Sequence, residues 1–268
     1  MRSLLVLAIV SLGVAVGASS AQAAPFALGP THLASGASPF APGCGGPGEA
    51  SAGSVLYQNA EVETHVAVNP TNANNVVAYW QQDRWSDGGA HGNRAGYSFD
   101  GGATWAYSAP RFSRCSGGAG LGNAGDYQRA TDPWLSFSPN GRLHAIGLVF
   151  DNSTPRNAVL AAFSDDGGAT WSTPRIVQFD NPRALGNNFN DKETLTADPL
   201  DSSLVYATWQ RIVSPSERAS QKGYENAFSW YSEAYFARST NGGQFWEPAR
   251  AIVTPRGRHV QTLSLIHI

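Results

Sequence analysis

The chain has 268 residues and a mass of 28.4 kDa, enough for one large domain or two small ones. Charged residues are only 14%, against roughly 25% in an average soluble domain, and the net charge is −2. That balance excludes a basic nucleic-acid binder and a coiled coil. Glycine (29) and proline (16) provide turns without reaching disordered composition, while 8 Trp, 9 Tyr and 12 Phe call for a packed interior.

Met1-Arg2 followed by an apolar run from Leu4 to Ala18 and by Ala21-Gln22-Ala23 reads as a secretory leader over 1–23. The run is too short for a membrane span, and no later stretch approaches that length. The mature chain is therefore expected in an exported, oxidising compartment: secreted, periplasmic or extracellular. Residues 24–56 form a loop-rich segment. It contains Cys44, whose expected disulfide partner is Cys115, since an even cysteine count favours pairing after export.

Three octapeptides repeat through the remainder. They are Ser98-Phe99-Asp100-Gly101-Gly102-Ala103-Thr104-Trp105, Ser164-Asp165-Asp166-Gly167-Gly168-Ala169-Thr170-Trp171 and Ser239-Thr240-Asn241-Gly242-Gly243-Gln244-Phe245-Trp246. The chemistry is that of a hairpin tip. Asp or Asn accepts from backbone N–H groups, Gly takes positive φ, Ser adds a second bond, and Trp covers the turn. Upstream of each lies an extended pair: 64–69 with 76–81, 134–138 with 143–150, and 194–198 with 205–210. Each unit thus reads strand, short turn, strand, loop, strand, Asp-containing turn, strand. Repetition of four antiparallel strands is the blade of a β-propeller.

The octapeptides resemble the Asp-box, or bacterial neuraminidase repeat, of the sialidase superfamily. Asp191-Lys192-Glu193-Thr194 ahead of an inner strand is similar to secreted sialidase-like chains. The resemblance spans about residues 57–255. It implies an all-β, six-bladed propeller, of which 57–262 would supply about three four-stranded blades. It also implies a glycoside hydrolase of the exo-α-sialidase type that releases terminal acidic sugars. The alternative is a non-catalytic Asp-box propeller that binds glycan or protein. The chain is expected to be an N-terminal fragment, inactive alone. Its final residues, Leu263 to Ile268, resemble one frame of a transposon sequencing adapter and are expected to be foreign.

Short a–b and Asp-box turns share one face of such blades, which leaves the long segments 82–93, 106–133, 178–193 and 211–233 on the other. Sites are usually built on long loops. The inner-strand starts carry Glu61, Glu63, Arg129, Asp132, Asp191, Lys192 and Glu193, a concentration of charge in a charge-poor chain. Asp132, Asp191 and Glu193 are the catalytic candidates, and Glu63, Arg129 and Lys192 the substrate-binding ones. Trp85, Tyr127, Tyr224, Trp230 and Tyr231 are candidate sugar-stacking aromatics. The superfamily's Arg-Ile-Pro motif is absent, because Arg175-Ile176-Val177 and Arg211-Ile212-Val213 lack its context. The family catalytic set is therefore not transferred. Gly120 to Gly125 matches G-x-G-x-x-G without a βαβ unit around it. His65, His91 and His144 show no ligand spacing, so neither metal nor cofactor is expected.

Overall fold

A computed structural model of the protein describes residues 29–181, 188–213 and 231–254. The leader at 1–23, the aromatics Tyr224 and Trp230, the side chain of Tyr231 and the 263–268 tail lie outside the described residues. Among the described residues, twelve strands fall into three antiparallel groups of four. The first is β1 (Leu56–Asn69), β2 (Asn72–Trp85), β3 (Ala90–Ser98) and β4 (Ala106–Ser108). The second is β5 (Arg129–Phe137), β6 (Leu143–Phe150), β7 (Asn157–Ser164) and β8 (Arg175–Asp180). The third is β9 (Asn188–Ala197), β10 (Val205–Val213), β11 (Tyr231–Ser239) and β12 (Arg250–Val253). Among the described residues, the helical pieces are single turns at 114–118 and 122–124, and no helix is long and apolar enough to cross a membrane.

Alternation within the strands lets side chains of neighbouring blades interdigitate, while β1 and β12 keep exposed positions such as Val66, Val68 and Ile252. Val77, Tyr79 and Ala95 of the first blade meet Leu135, Leu143 and Ala145 of the second. Ile146, Val159 and Val177 of the second meet Leu195, Val205 and Trp209 of the third. Trp209 is wholly buried, and its Nε1 donates to Asn190 Oδ1 at 2.8 Å. A single bridge, Ala90 to Ala130, also joins the first two blades edge to edge.

All three Asp-boxes close the third-to-fourth strand turn with one set of bonds. Ser98 Oγ donates to Asp100 Oδ1 (2.7 Å) and accepts from Gly102 N (2.9 Å), while Thr104 N donates to Asp100 Oδ1 (2.9 Å). Ser164, Asp166, Gly168 and Thr170 repeat this at 2.7, 2.9 and 2.8 Å. Asn241 replaces the carboxylate in the third box, accepting from Ser239 Oγ at 3.0 Å and Phe245 N at 2.9 Å, with Gly243 N on Ser239 Oγ at 2.9 Å. Gly102, Gly168 and Gly243 have φ of 93°, 97° and 80°, which a Cβ would strain. Trp105 caps its own turn through Nε1 to Gly102 O (2.9 Å), and Trp246 packs on the core between the second and third blades.

The boxes also join neighbouring blades. Trp171 Nε1 donates to Ser108 Oγ (2.8 Å) on β4 of the preceding blade, and Asn75 Nδ2 donates to Gly167 O (3.1 Å). Arg142 Nη1 of the second blade likewise donates to Gly242 O of the third (3.0 Å). Asp166→Ala removes the Ser164 and both Thr170 bonds from an exposed turn, so the expected cost is about 1 kcal/mol, a Tm lowered by about 2–4 °C. Calorimetry of the variant checks it. A Tm unchanged within error refutes the stapling role.

Two expectations need correction. The segment 82–93 is not a long loop: β2 runs to Trp85 and β3 starts at Ala90, leaving a tight turn. Nor do most site candidates mark strand starts: Arg129 opens β5, but β1 begins at Leu56, well ahead of Glu63, and β9 at Asn188, ahead of Asp191. Buried polar residues such as Gln81, Gln82 and Asn93 continue these strands, and they disguise them as loop.

The loop-rich segment lies across the first blade. Arg94 Nη1 donates to Gly36 O (2.9 Å) and Ala37 O (2.8 Å), and Ser38 Oγ donates to Asp83 Oδ2 (2.5 Å). Cys44 and Cys115 are disulfide-bonded, with Cα atoms 4.9 Å apart, which pins this segment to the connection between β4 and β5.

Candidate functional site

Each innermost strand carries the same irregularity. Glu63 and Thr64 of β1 are the extra residues between the pairs Val62–Gln81 and His65–Tyr79. Asp132 and Pro133 of β5 fall between Thr131–Leu148 and Trp134–Ile146, and Lys192 and Glu193 of β9 between Asp191–Gln210 and Thr194–Thr208. The first residue of each bulge is left-handed: φ is 54° at Glu63, 47° at Asp132 and 54° at Lys192. Non-glycine residues adopt this region at a cost of about 1–3 kcal/mol, and a bulge re-aims the side chain it carries. Three blades thus turn three ionisable side chains towards one another.

The three bulges line a common cavity of about 340 Å³, formed by Glu63, Thr64, His65, Asp132, Pro133, Trp134, Lys192, Glu193 and Thr194. Lys192 Nζ lies 3.4 Å from Asp132 Oδ1, 3.8 Å from Glu63 Oε1 and 3.9 Å from Asp191 Oδ1. The Lys192 backbone N–H donates to Asp132 Oδ2 at 3.1 Å. Gln81 Nε2 donates to Glu63 Oε2, while Gln81 Oε1 accepts from Arg84 Nη1 at 2.7 Å.

These surroundings pull the carboxyls apart. Burial and then the neighbouring Asp132 carboxyl raise Glu63 to about 7. Burial and the Asp132 charge raise Asp191 to about 7 as well. Burial pushes Asp132 upward too, but hydrogen bonding with Glu63 and the Lys192 charge outweigh it and hold Asp132 below its ordinary range. Burial tends to lower Lys192, and the carboxylates of Asp132, Asp191 and Glu63 more than reverse that. Glu193 is 2% exposed, neither carboxyl oxygen has a hydrogen-bond partner, and burial followed by the Asp132 charge drives it well upward. Near neutral pH the site therefore offers one carboxylate held ionised, one buried carboxyl pushed well upward and two carboxyls near their midpoint. Such divergence is how acid and base roles are divided within one site.

One wall of the cavity is aromatic. The His65 and Trp134 rings lie 4.0 Å apart at 31°, and Leu135 N donates to His65 Nδ1 at 3.3 Å. That bond leaves His65 Nε2 as the protonated nitrogen of the neutral ring, and burial holds the ring's pKa below its usual value. Neither residue follows from charge concentration. Reading Glu63-Thr64-His65 against Asp132-Pro133-Trp134 in repeat register is the signal that points to both.

The structure thus brings Glu63, Asp132, Asp191, Lys192 and Glu193 together, but not Arg129. The Arg129 side chain is 1% exposed and forms an ion pair with Asp87 Oδ1 at 2.8 Å. Its Nε donates to Glu49 O (2.8 Å), its Nη1 to Gly88 O (2.6 Å), and its guanidinium lies 4.8 Å from the centre of the Trp85 ring. Trp85 is buried in that clamp. Tyr127 is also fully buried, beneath the Arg156 guanidinium, with its hydroxyl on Asn123 O at 3.1 Å. The Asp-box tips lie elsewhere too. Gly101 N and Gly242 N donate to Asn74 O (2.9 Å) and Ser203 O (2.8 Å) beside the first-to-second strand turns, beyond the C-terminal ends of the bulged inner strands.

A family model for the BNR/Asp-box repeat matches residues 162–173. Three solved structures resemble the chain in outline. The Penicillium chrysogenum alpha-L-arabinanase complexed with arabinobiose shares 15% identity over 73% of this chain and 50% of that one, with a TM-score of 0.48. A Hadza microbial sialidase shares 15% over 70% and 37%, at 0.47. The alpha-L-arabinofuranosidase of Fusarium graminearum shares 13% over 71% and 48%, at 0.46. The chain spans half or less of the length of each. No curated protein gives a significant match. Identity this low carries no activity across. The matched repeat, its two further copies with the same hydrogen bonds and the four-stranded antiparallel sheets that hold them show a chain of Asp-box (BNR) repeats set in consecutive β-blades.

Proposed function

We propose that the cavity between the three bulges is the sugar site of a secreted glycoside hydrolase of the exo-α-sialidase type, which releases a terminal acidic sugar. The observation that carries this reading is the pairing of Asp132, held ionised, with Glu63, raised to about 7, beside an aromatic wall. In most glycoside hydrolases one carboxylate meets a developing oxocarbenium ion and one acid protonates the leaving oxygen. Sialidases depart from this by using Tyr as the nucleophile, so the two-carboxylate roles given to this site are those of the general scheme. Asp132 is assigned the first role and Glu63 the second. Asp191 is a second titrating carboxyl at the same ammonium. Trp134 and His65 offer a flat surface to the apolar face of a sugar, and Lys192 is the cation available to an acidic substituent.

One observation favours a non-catalytic glycan- or protein-binding propeller instead: the Lys192 ammonium already has three carboxylates around it. The test is an assay of the intact protein on fluorogenic α-sialosides and α-L-arabinofuranosides, with sugar binding measured in parallel. Release of the fluorophore that disappears in Asp132→Asn, with binding retained, supports the hydrolase. Binding without turnover on every glycoside supports the binder, and turnover of the arabinofuranoside alone overturns the acidic-sugar assignment.

A further inference from the structure

Away from the hub, a second group of polar side chains converges where the loop-rich segment crosses the first blade. The sulfurs of Cys44 and Cys115 and a ring nitrogen of His91 all lie within 4.8 Å of one another. His91 is 1% exposed. Its Nδ1 faces Asp83 Oδ2 at 3.2 Å, and its Nε2 is buried without a hydrogen-bond partner. Glu49 Oε1 stands 3.8 Å from that Nε2, and Glu49 Oε2 is likewise buried and unpartnered. An unpartnered imidazole nitrogen close to two sulfurs, with an unpartnered carboxyl oxygen on the side chain next to it, is an expensive arrangement to keep inside a protein unless something satisfies both.

From this geometry we infer that, when the disulfide is reduced, Cys44, Cys115, His91 and Glu49 form a tetrahedral site for a thiolate-binding divalent cation, Zn²⁺. The donor set of two sulfurs, one imidazole nitrogen and one carboxylate oxygen is one that zinc accepts. Two ligands about 2.1 Å from a shared tetrahedral zinc lie roughly 3.4 Å apart, close to the 3.8 Å between Glu49 and His91. Glu49 stands outside the trio of donors within 4.8 Å of one another, so its carboxylate must swing towards the sulfurs to complete the set. Asp83 occupies the outer position that metal-binding histidines usually require, holding Nδ1–H so that the Nε2 lone pair points inward. Phe40 and Trp85 flank the imidazole edge-on, with ring centres 6.3 and 5.7 Å away, and fix its plane. Glu49 is seated against Gly45, where an added Cβ would lie 2.0 Å from Glu49 Oε2, so only glycine leaves room for the carboxylate.

The chemistry balances. A dithiol or phosphine reductant supplies two electrons, the S–S bond breaks, and two thiols form with two protons from solvent or reductant. Zn²⁺ then displaces both thiol protons to the solvent and binds two thiolates. Sequence spacing conceals this site because its ligands come from the loop-rich segment, from β3 and from the connection after β4.

The experiment treats the intact protein with a phosphine reductant, adds Zn²⁺ or Co²⁺, desalts, and measures bound metal and the visible spectrum. One Zn²⁺ per reduced chain, none per oxidised chain, and a Co²⁺ spectrum with thiolate charge-transfer and tetrahedral bands are expected. His91→Gln should weaken Zn²⁺ binding at least 100-fold, and Asp83→Asn by roughly 10–100-fold. Equal binding by the oxidised chain, unchanged affinity in His91→Gln, or an octahedral Co²⁺ spectrum overturns the site. If reduction unfolds the chain, circular dichroism on adding Zn²⁺ decides: recovery of the fold in the wild type but not in His91→Gln supports the site, and no recovery overturns it.

Discussion

Arg129→Ala is expected to destabilise the protein by about 3–5 kcal/mol, the cost of removing one partner from a buried ion pair. At this chain size that lowers Tm by roughly 10 °C. The arginine stands at the first position of β5 and reaches away from the hub. It ties the Glu49 carbonyl of the loop-rich segment and the Gly88 carbonyl of the β2–β3 turn to the second blade. Removing it leaves Asp87 with a buried charge and frees two buried carbonyls at once. Arg129→Lys should recover little, because an ammonium cannot supply the Nε and both Nη donors in one plane while stacking on Trp85. Calorimetry with a sugar-binding titration separates the outcomes. Lowered Tm with unaltered affinity in the folded fraction is expected, whereas lost affinity at an unaltered Tm would return Arg129 to the sugar site.

That residue also shows how far the sequence could be read. Asp-boxes announce themselves because most of their chemistry is local: serine, aspartate, glycine, threonine and tryptophan within eight positions make the characteristic bonds of the turn. Blade strands follow from them by repeat. The charged inner-strand positions were equally visible, but charge in sequence does not separate a group that faces a cavity from one that clamps two loops. Arg129 and Asp132 are three residues apart on one strand, and the bulge after Thr131 sends them to different places. No composition signal marks that bulge, since its left-handed residue is an aspartate and not a glycine. The length of β2 was hidden for a related reason. Its last turn of strand is polar yet buried, because Gln82 and Asp83 bond to Trp80, Ser38 and Asn59 and not to water.

Loss of the hub carboxyls should have the largest effect on turnover. Glu63→Gln removes a proton donor, and general acid catalysis is worth about 10²–10⁴-fold, so kcat should fall by that factor on glycosides with poor leaving groups. The fall should be smaller for an activated aryl glycoside, whose leaving oxygen needs less help. Asp132→Asn should depress both substrates alike, since it removes the charge that meets the oxocarbenium ion and not the proton. Equal losses on both substrates in Glu63→Gln would overturn its acid role. Stability provides an independent check on the same group. The folded state holds the Glu63 and Asp191 protons up to about pH 7, whereas the unfolded chain releases them near the ordinary values of 4.5 and 3.8. Between those limits the native state holds more protons on these two carboxyls, so their contribution to stability falls as pH rises from about 4 to 7, opposed by that of the buried His144 and His65, which rises as pH climbs towards their ordinary value of 6.5. Glu63→Gln and Asp191→Asn should each flatten that slope in Tm measured across the range. A Tm–pH slope that is the same in Glu63→Gln as in the wild type would mean that this carboxyl is ionised in the folded hub, with no proton for Glu63 to give.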